Sequence, residues 1–237
     1  MSIFRTAVVA ATVLVASAAA QAATVSYGTT PASTSTLTTG LQTTNFTSSL
    51  TLPKFNSTLG TLTSVAIDFA GGVTSTIKFE SLDAAPSTII GTASATVTLT
   101  RPDNSQLAVV LPTNTRSASE TAYDGVIDFA GTSGDTFSNI SGTLTAATVT
   151  LTSASDLAMF AGVGNILLPV IGTGSSSVSG AGNLLSQINT QASGSAYVVY
   201  TYTAASAPTP TGVPEPASMA LLGAGLGGLG LLRRRTV

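Results

Sequence analysis

Hydrophobic and polar residues alternate along much of this 237-residue chain. The pattern is clearest in residues 65–69 and 73–79, where valine, isoleucine and phenylalanine occupy nearly every second position. Successive side chains of a β-strand point to opposite faces, so this alternation predicts strands with one buried face. Gly71-Gly72 lies between the two segments and predicts a β-hairpin turn that joins them.

The same alternation recurs between turn signals over the rest of the chain. It predicts strands around Val25–Tyr27 and Phe46–Leu52, and over Ala93–Thr100, Leu107–Leu111, Val126–Phe129, Leu144–Thr152, Gly164–Ile171 and Ser195–Thr203. Turns such as Pro102-Asp103-Asn104 separate them, and Ser155–Phe160 favours one helical turn. About ten short strands without an amphipathic helix predict an all-β fold, a single β-sandwich of jelly-roll or immunoglobulin-like type.

Two short strings of residues occur twice in the same order. Ile67–Gly71 matches Ile127–Gly131, and Ala95–Thr100 matches Ala147–Thr152. Two related sheet-forming halves explain these repeats, and so does chance recurrence in a chain rich in threonine, alanine and valine. Both interpretations remain open at the level of the sequence.

The N-terminal residues have the three parts of a secretory signal peptide. Arg5 provides the positive start, Ala7–Ala19 is apolar, and Ala20-Gln21-Ala22 is a small-residue cleavage site. We therefore expect a signal-peptide helix in residues 1–22 and a mature chain that begins at Ala23. An uncleaved anchor is the alternative, although the apolar segment is short for it.

The C-terminal residues form a second targeting segment. Ala217–Leu232 carries no charge and as a helix spans about 24 Å, slightly less than the hydrocarbon core of a membrane. Arg233, Arg234 and Arg235 follow and should stay on the cytoplasmic side. This pattern predicts a short transmembrane helix, with a sandwich domain over residues 23–203 outside the membrane. Residues 204–212 then form a Pro/Thr/Ser stalk.

A short motif, Val213, Pro214, Glu215 and Pro216, stands immediately before the apolar segment. The prolines keep it stiff and extended. Motif, apolar helix and arginines, in that order over residues 213–237, resemble the PEP-CTERM sorting signal of Gram-negative bacteria. The resemblance implies that an exosortase, a membrane transpeptidase, recognises the motif and removes the tail. The protein is then transiently membrane-anchored before it reaches the cell surface or the exterior. An ordinary tail anchor is the alternative.

Composition restricts the available chemistry. The chain has no histidine and no cysteine, which excludes Ser-His-Asp and Cys-His nucleophiles, imidazole zinc ligands and disulfides. Between the targeting segments, nine acidic residues outnumber four basic ones (Lys54, Lys78, Arg101 and Arg116), so we expect no nucleic-acid partner. Charged residues make up only 8% of the chain, so serine and threonine must provide much of the solvated surface.

Carboxylates are the remaining groups for catalysis or metal binding. A glycoside hydrolase needs a pair of them, and the candidates are Asp68, Glu80, Asp83, Glu120, Asp124, Asp128, Asp135 and Asp156. We expect these residues to stabilise turns and solvate the surface, and we expect no enzyme and no cofactor. A weak calcium site formed by Asp103, Asp124, Asp128 and Asp135 stays open, although no calcium-loop motif is present.

The body of the chain resembles a second family. Leu52–Leu62 (Leu-Pro-Lys-Phe-Asn-Ser-Thr-Leu-Gly-Thr-Leu) is similar to the opening of the choice-of-anchor E domain. Phe129–Gly134, Asp156–Phe160, Ser179–Leu184 and Tyr200–Tyr202 fit later blocks of that domain in order. The resemblance implies an exported surface domain without an established activity.

Together these features predict an exported protein with a structural or adhesive role in exopolysaccharide or biofilm. A carbohydrate-binding module is the alternative, and a hydrolase with a carboxylate pair is a third hypothesis. Clustered exposed aromatic rings on one sheet would favour the module, and two carboxylates that face each other in a pocket would favour the hydrolase.

Overall fold

The computed structural model describes residues 22–28 and 37–205. The expected signal helix with Ala20, the stalk from residue 206 onward, the motif Val213–Pro216 and the arginines 233–235 lie outside these residues. Ala22 and Ala23, on either side of the expected cleavage site, are the first two residues of a strand. No helix formed by the described residues has the length and apolar character needed to cross a membrane.

Thirteen strands and one α-helix form in the described residues. In chain order they are β1 (Ala22–Gly28), β2 (Leu37–Thr38), β3 (Gln42–Thr43), β4 (Phe46–Pro53), β5 (Gly60–Ser81), β6 (Ser87–Thr100), β7 (Gln106–Val110), β8 (Thr113–Glu120), β9 (Gly134–Thr145), β10 (Val149–Leu151), α1 (Ala154–Phe160), β11 (Asn165–Gly174), β12 (Ser177–Ser179) and β13 (Leu184–Ala204). One 3₁₀ turn, Ser57–Leu59, lies between β4 and β5. The expected all-β sandwich is confirmed, but the strands are very uneven in length.

Strands β5 and β13 form the centre of the first sheet, sheet A. They pair antiparallel over their whole length, from Gly60 with Ala204 to Ser81 with Leu184. β1, β2 and β3 follow one another along the other side of β13, and β9 and β10 do the same along β5. The seven strands of sheet A are therefore arranged four abreast.

Strand β6 has the same central role in the second sheet, sheet B. β7 and β8 pair along one side of β6, while β11 and β12 pair along the other. β4 pairs with the far side of β11 and forms the edge. In both sheets a long strand therefore aligns several short ones.

Alternate residues of the two sheets meet in the core, as the sequence predicted. Val65, Ile67 and Phe69 of β5 are fully buried, and so are Val97 and Leu99 of β6. The residues between them point outward and keep part of their surface in water. Burial of each such apolar side chain contributes about 1.5–3 kcal/mol, so this alternation is the main source of stability.

Phe55 holds the connection between β4 and β5 to the sandwich. Its side chain is buried, its N–H donates to the carbonyl of Phe160 (2.8 Å), and its carbonyl accepts from the N–H of Gly162 (3.0 Å). The ring centroid lies 4.9 Å from that of Tyr202 and 6.1 Å from that of Tyr200. Phe55 is therefore a core residue of the described domain.

Helix α1 confirms the helical turn expected at Ser155–Phe160. Ser153 caps it, because its Oγ accepts the N–H of Asp156 (3.1 Å). The carboxylate of Asp156 in turn accepts from Nε of Arg101 (2.8 Å), which ties the start of the helix to the end of β6.

The expected hairpin at Gly71-Gly72 is wrong. Both glycines lie inside β5, a continuous strand of 22 residues. Gly71 points into the core, where an added Cβ would lie 2.5 Å from Cγ2 of Val110 and 3.2 Å from Cβ of Val97. Glycine is placed here because the facing sheet approaches closely, and not because the chain turns.

The strand expected over Val126–Phe129 is also wrong, because these residues lie in the loop between β8 and β9. The repeated strings therefore differ in structure, since Ile67–Gly71 is strand and Ile127–Gly131 is loop. Two equivalent sheet-forming halves do not account for this repeat.

The sequence did not predict β8, most of β9 or the first half of β13. Six of the eight residues of β8 are exposed, so an alternating pattern is absent. In β9 the alternation is interrupted beside Asn139, which has a positive φ of 55° where the register with β5 shifts. Pairing with long neighbouring strands, and not local pattern, determines these segments.

Substitution of Gly71 distinguishes a buried strand position from a turn. We expect Gly71→Ala to lower the free energy of unfolding by about 1–3 kcal/mol, because a methyl group is forced against Val110 and Val97. Urea denaturation measures this effect. Gly72→Ala is the control, since its added Cβ would meet mainly the hydroxyl of Ser193, which can rotate away. Equal losses at both positions would contradict the strand.

Candidate functional site

One buried carboxylate, Glu80, organises the end of sheet A. It lies near the end of β5 and is fully buried. Its Oε2 accepts the N–H of Phe129 (2.8 Å) and its Oε1 accepts the hydroxyl of Ser133 (2.6 Å). These bonds hold the loop between β8 and β9 over the core. Glu80 is closed off from solvent, so in this conformation it cannot contact a substrate.

Glu120, at the end of β8, is nearly buried beside this group, with 9% of its surface exposed. Burial raises the pKa of its carboxyl, and the nearby charges of Asp135 and Glu80 raise this pKa further. The structure therefore brings three of the predicted carboxylates together. Such a group resembles a catalytic pair in composition, but one member, Glu80, is already bound to the loop.

The other predicted carboxylates bond to nearby polar groups. Their partners are Thr148 for Asp68, Gly182 and Asn183 for Asp83, Ser105 for Asp103, Val126 and Thr132 for Asp124, Ala130 for Asp128, and Arg101 and Ser153 for Asp156. Most of these bonds close turns or fasten loops. In the part of the chain that the structure describes, no three acidic side chains are grouped so that they could hold a metal ion.

Several aromatic rings of the described residues pack inside the domain. Tyr200 is fully buried, its ring lies edge-on to those of Tyr27, Phe55 and Phe160, and its hydroxyl donates to the carbonyl of Pro53 (2.9 Å). Burial raises the pKa of the Tyr200 hydroxyl, which stays protonated. These rings do not form a platform on which a sugar could stack.

The outer side of sheet B carries a regular set of hydroxyl groups instead. We call it the hydroxyl face: Thr92, Ser94, Thr96 and Thr98 of β6, Thr113 and Thr115 of β8, Thr173 of β11 and Ser177 of β12. Pairing aligns these residues in rows across the strands, such as Ser177, Thr92 and Thr115. Neighbouring strands lie about 4.8 Å apart, so the hydroxyls repeat at short intervals.

A polar groove of about 610 Å³ lies on sheet A. It is lined by Thr43 at the end of β3 and the following Thr44, by Thr76 and Lys78 of β5, and by Gln187–Thr190 of β13. Sequence patterns did not predict it, because the first half of β13 was not expected to be a strand. The only sequence signal for the groove was the absence of charge in Leu184–Asn189. That signal cannot be interpreted until the position of the strand in the sheet is known.

The comparison with known families concerns the C-terminal segment. Residues 212–235 match the PEP-CTERM protein-sorting motif, a range that includes Val213–Pro216 and Arg233–Arg235. The chain is therefore an exosortase-sorted extracellular surface protein, and an exosortase is its processing partner. No curated protein matches the chain.

Among solved structures, the chain is similar to VP2 proteins of infectious bursal disease virus. The VP2 subviral particle shares 11% identity at a TM-score of 0.20, with 80% of this chain and 36% of that chain covered. The Gt strain structure shares 13% identity at a TM-score of 0.17, with 91% and 48% covered. The chain thus spans between about a third and a half of these proteins. Scores this low support no argument about fold or function.

The pH dependence of stability reports on Glu120. A carboxyl whose pKa is raised on folding opposes folding at neutral pH, and this opposition disappears as the pH falls through the folded pKa toward the unfolded value near 4.5. We therefore expect Glu120→Gln to raise the melting temperature at pH 7, with a difference from wild type that closes below about pH 4.5.

Asp103→Asn is the control of opposite sign. Hydrogen bonds from the side chain and then the backbone of Ser105 lower the pKa of Asp103, so its loss should slightly destabilise the protein at neutral pH and not at acid pH. A lower melting temperature for Glu120→Gln at pH 7 would show that the Glu120 carboxylate is stabilising.

Proposed function

We propose that the sorted domain has a structural and adhesive role in the exopolysaccharide matrix outside the cell. The observation that carries the proposal is the hydroxyl face, together with the exosortase signal that brings the domain to the exterior. Serine and threonine hydroxyls both donate and accept hydrogen bonds, as sugar hydroxyls do. The strands that bear the face contribute little charge, so neutral and weakly charged polysaccharides are suitable partners.

Each hydroxyl contributes little by itself. A hydrogen bond that replaces one to water is worth about 0.5–1.5 kcal/mol, so attachment depends on many simultaneous contacts. Copies displayed together on one surface multiply these contacts through their effective concentration. This mode suits a matrix component better than a pocket for one sugar. The burial of Phe55, Phe160 and Tyr200 favours it over the stacking platform of a carbohydrate-binding module.

We also propose that the domain is of the choice-of-anchor E type. Three leucine and phenylalanine positions of the opening motif support this assignment, because Leu52, Phe55 and Leu62 are buried where β4 passes into β5, whereas Leu59 is 44% exposed. Asn56 of the same motif caps the 3₁₀ turn by accepting the N–H of Thr58 (3.0 Å). Each of these positions has a structural reason to carry its residue type.

Binding to the matrix is tested by co-sedimentation of the processed chain with exopolysaccharide from the producing cells. Thr96→Val with Thr98→Val keeps the shape of the face and removes two hydroxyls. We expect a several-fold loss of bound protein, because two hydrogen bonds of about 0.5–1.5 kcal/mol are lost.

The matched control is Thr24→Val with Thr201→Val, a cross-strand pair on the outer side of sheet A. It should leave binding unchanged. No binding by the wild-type chain would contradict the matrix role, and equal losses in the two variants would contradict the hydroxyl face.

Glu215 tests the sorting step. It lies between Pro214 and Pro216 and is the only charged residue near the N-terminal end of the apolar segment. This segment is short for a permanent anchor. We expect Glu215→Ala to leave an unprocessed, membrane-bound chain in a host that carries an exosortase. Intact mass and membrane fractionation measure this. One carboxylate at the membrane rim hardly affects insertion, so identical processing of wild type and variant would favour a simple tail anchor.

A further inference from the structure

Part of the central strand β13 lacks a neighbour on one side. β1, β2 and β3 pair along the edge of β13 that lies opposite β5, from Thr203 back to Gln191. At the end of this stretch, the N–H of Thr44 donates to the carbonyl of Thr190 (3.1 Å). Beyond that point no described residue pairs with Leu184–Asn189 except β5 on the opposite side. We call Leu184–Asn189 the open segment. It forms one wall of the polar groove.

The backbone groups that face the open side can be assigned from the pairing. The carbonyls of Thr190 and Gly194 both accept bonds from the β2–β3 side. β13 pairs with β5 without a register shift from Leu184 to Thr201, so every second residue faces the same way. The N–H and C=O groups of Leu184, Ser186 and Ile188 therefore point toward the open side.

The open segment has none of the usual protection of a strand edge. It contains no charged residue and no proline, and Leu185 and Ile188 are 40% and 37% exposed. Edges that must stay unpaired are normally blocked by charge, proline, a bulge or a covering segment. This edge is therefore suited to receive another strand.

No nearby segment of the same chain is long enough to fill it. Residues 29–36 join Gly28, opposite Tyr197, to Leu37, opposite Ala196. Eight residues extend at most about 28 Å, whereas the path from Tyr197 to Ile188 and back is about 60 Å. From Ala204 the open segment is more than 50 Å away, and the residues before the sorting motif at position 212 reach about 25 Å. In the processed chain that we expect, which begins at Ala23 and ends near the sorting motif, the strand must therefore come from another molecule.

We propose that the open segment binds the same segment of a second copy, antiparallel about a twofold axis at Ser186. In this register Leu184 of each copy lies opposite Ile188 of the other on the inner face, so apolar side chains meet. Leu185 lies opposite Gln187 on the outer face. The contact continues sheet A from one molecule into the next, and pairing stops where Thr44 already occupies Thr190.

The antiparallel register determines where the C-terminal ends of the two β13 strands lie in this dimer. Roughly 60 Å of strand separates Ser186 from Ala204, after which the chain continues toward the sorting motif. Antiparallel pairing about Ser186 places the C-terminal ends of the two β13 strands at opposite ends of the joined strands. Such a dimer connects two surfaces that face each other more readily than two copies side by side. This adhesive consequence rests on the proposed matrix role, whereas the dimer itself does not.

The dimer is weak by size. About six residues from each copy bury less than the roughly 1,200 Å² at the lower end of stable interfaces. Association is therefore expected at high protein concentration or between densely displayed copies, where effective concentration is high.

Sedimentation velocity of the processed chain over a range of concentrations tests the dimer. We expect a concentration-dependent dimer for wild type and for Ser186→Ala, which keeps the backbone N–H. Ser186→Pro removes the N–H donor on the open side and no hydrogen bond to β5, so it should weaken association at least about tenfold with an unchanged melting temperature. A wild-type chain that stays monomeric, or a series of larger oligomers, would overturn the proposal.

A second pair of variants keeps the test decisive if Ser186→Pro fails to fold. Ile188→Lys places a charge on the open segment, and Ile171→Lys places one at an equally exposed position of β11, which is paired on both sides. Only Ile188→Lys should abolish the dimer. Equal dimer formation by both variants would show that the contact between copies does not involve the open segment. Loss of matrix binding with an intact dimer would instead count against the proposed function alone.

Discussion

The backbone ladder between β5 and β13 is the constraint on which the rest of the domain depends. Twenty-one residues of each strand are paired, and the single irregularity lies between Thr201 and Tyr202, where Thr63 of β5 has no partner. A one-residue slip would turn Val65, Ile67 and Phe69 out of the core, so the buried face fixes the register. Every short strand of sheet A is then aligned by one of these two long strands.

The second requirement is that the two sheets approach closely along this ladder. Gly71 and Gly194 are directly paired, and both point inward. Added methyl groups would lie 2.5 Å from Val110 and 2.8 Å from Val170, both in sheet B. The core is therefore thin at this level and is filled from sheet B by valine. Large rings fill the core farther along β5, toward its C-terminal end, where the ring centroids of Phe79 and Phe137 lie 4.9 Å apart.

Sequence patterns predicted what local chemistry determines. Alternation identified the class of fold and the core residues of β5 and β6, and the three-part C-terminal signal was evident because its parts are adjacent in the chain. Gly71-Gly72 was misassigned because inward and turn glycines look alike without a partner strand. Glu80 could not be assigned, because its role depends on a loop fifty residues away. The open segment has meaning only once neighbouring strands are placed, since an edge is a property of the whole sheet.

Two other strand edges of the described domain are linked by side-chain hydrogen bonds, whereas the open segment is not. Nδ2 of Asn114 on β8 donates to the carbonyl of Ser141 on β9, which joins the two sheets along one side. On the other side, Nε2 of Gln42 donates to Oγ of Ser48 (3.1 Å) and links β3 to β4. Among the described residues, these two hydrogen bonds link an edge of one sheet to an edge of the other. An uncharged, partly apolar stretch of a central strand left outside this bridging is a hazard unless it has a partner. The segment lies at the N-terminal end of β13, whereas the chain continues toward the sorting motif from the C-terminal end of this strand, so a partner held on another surface could reach it.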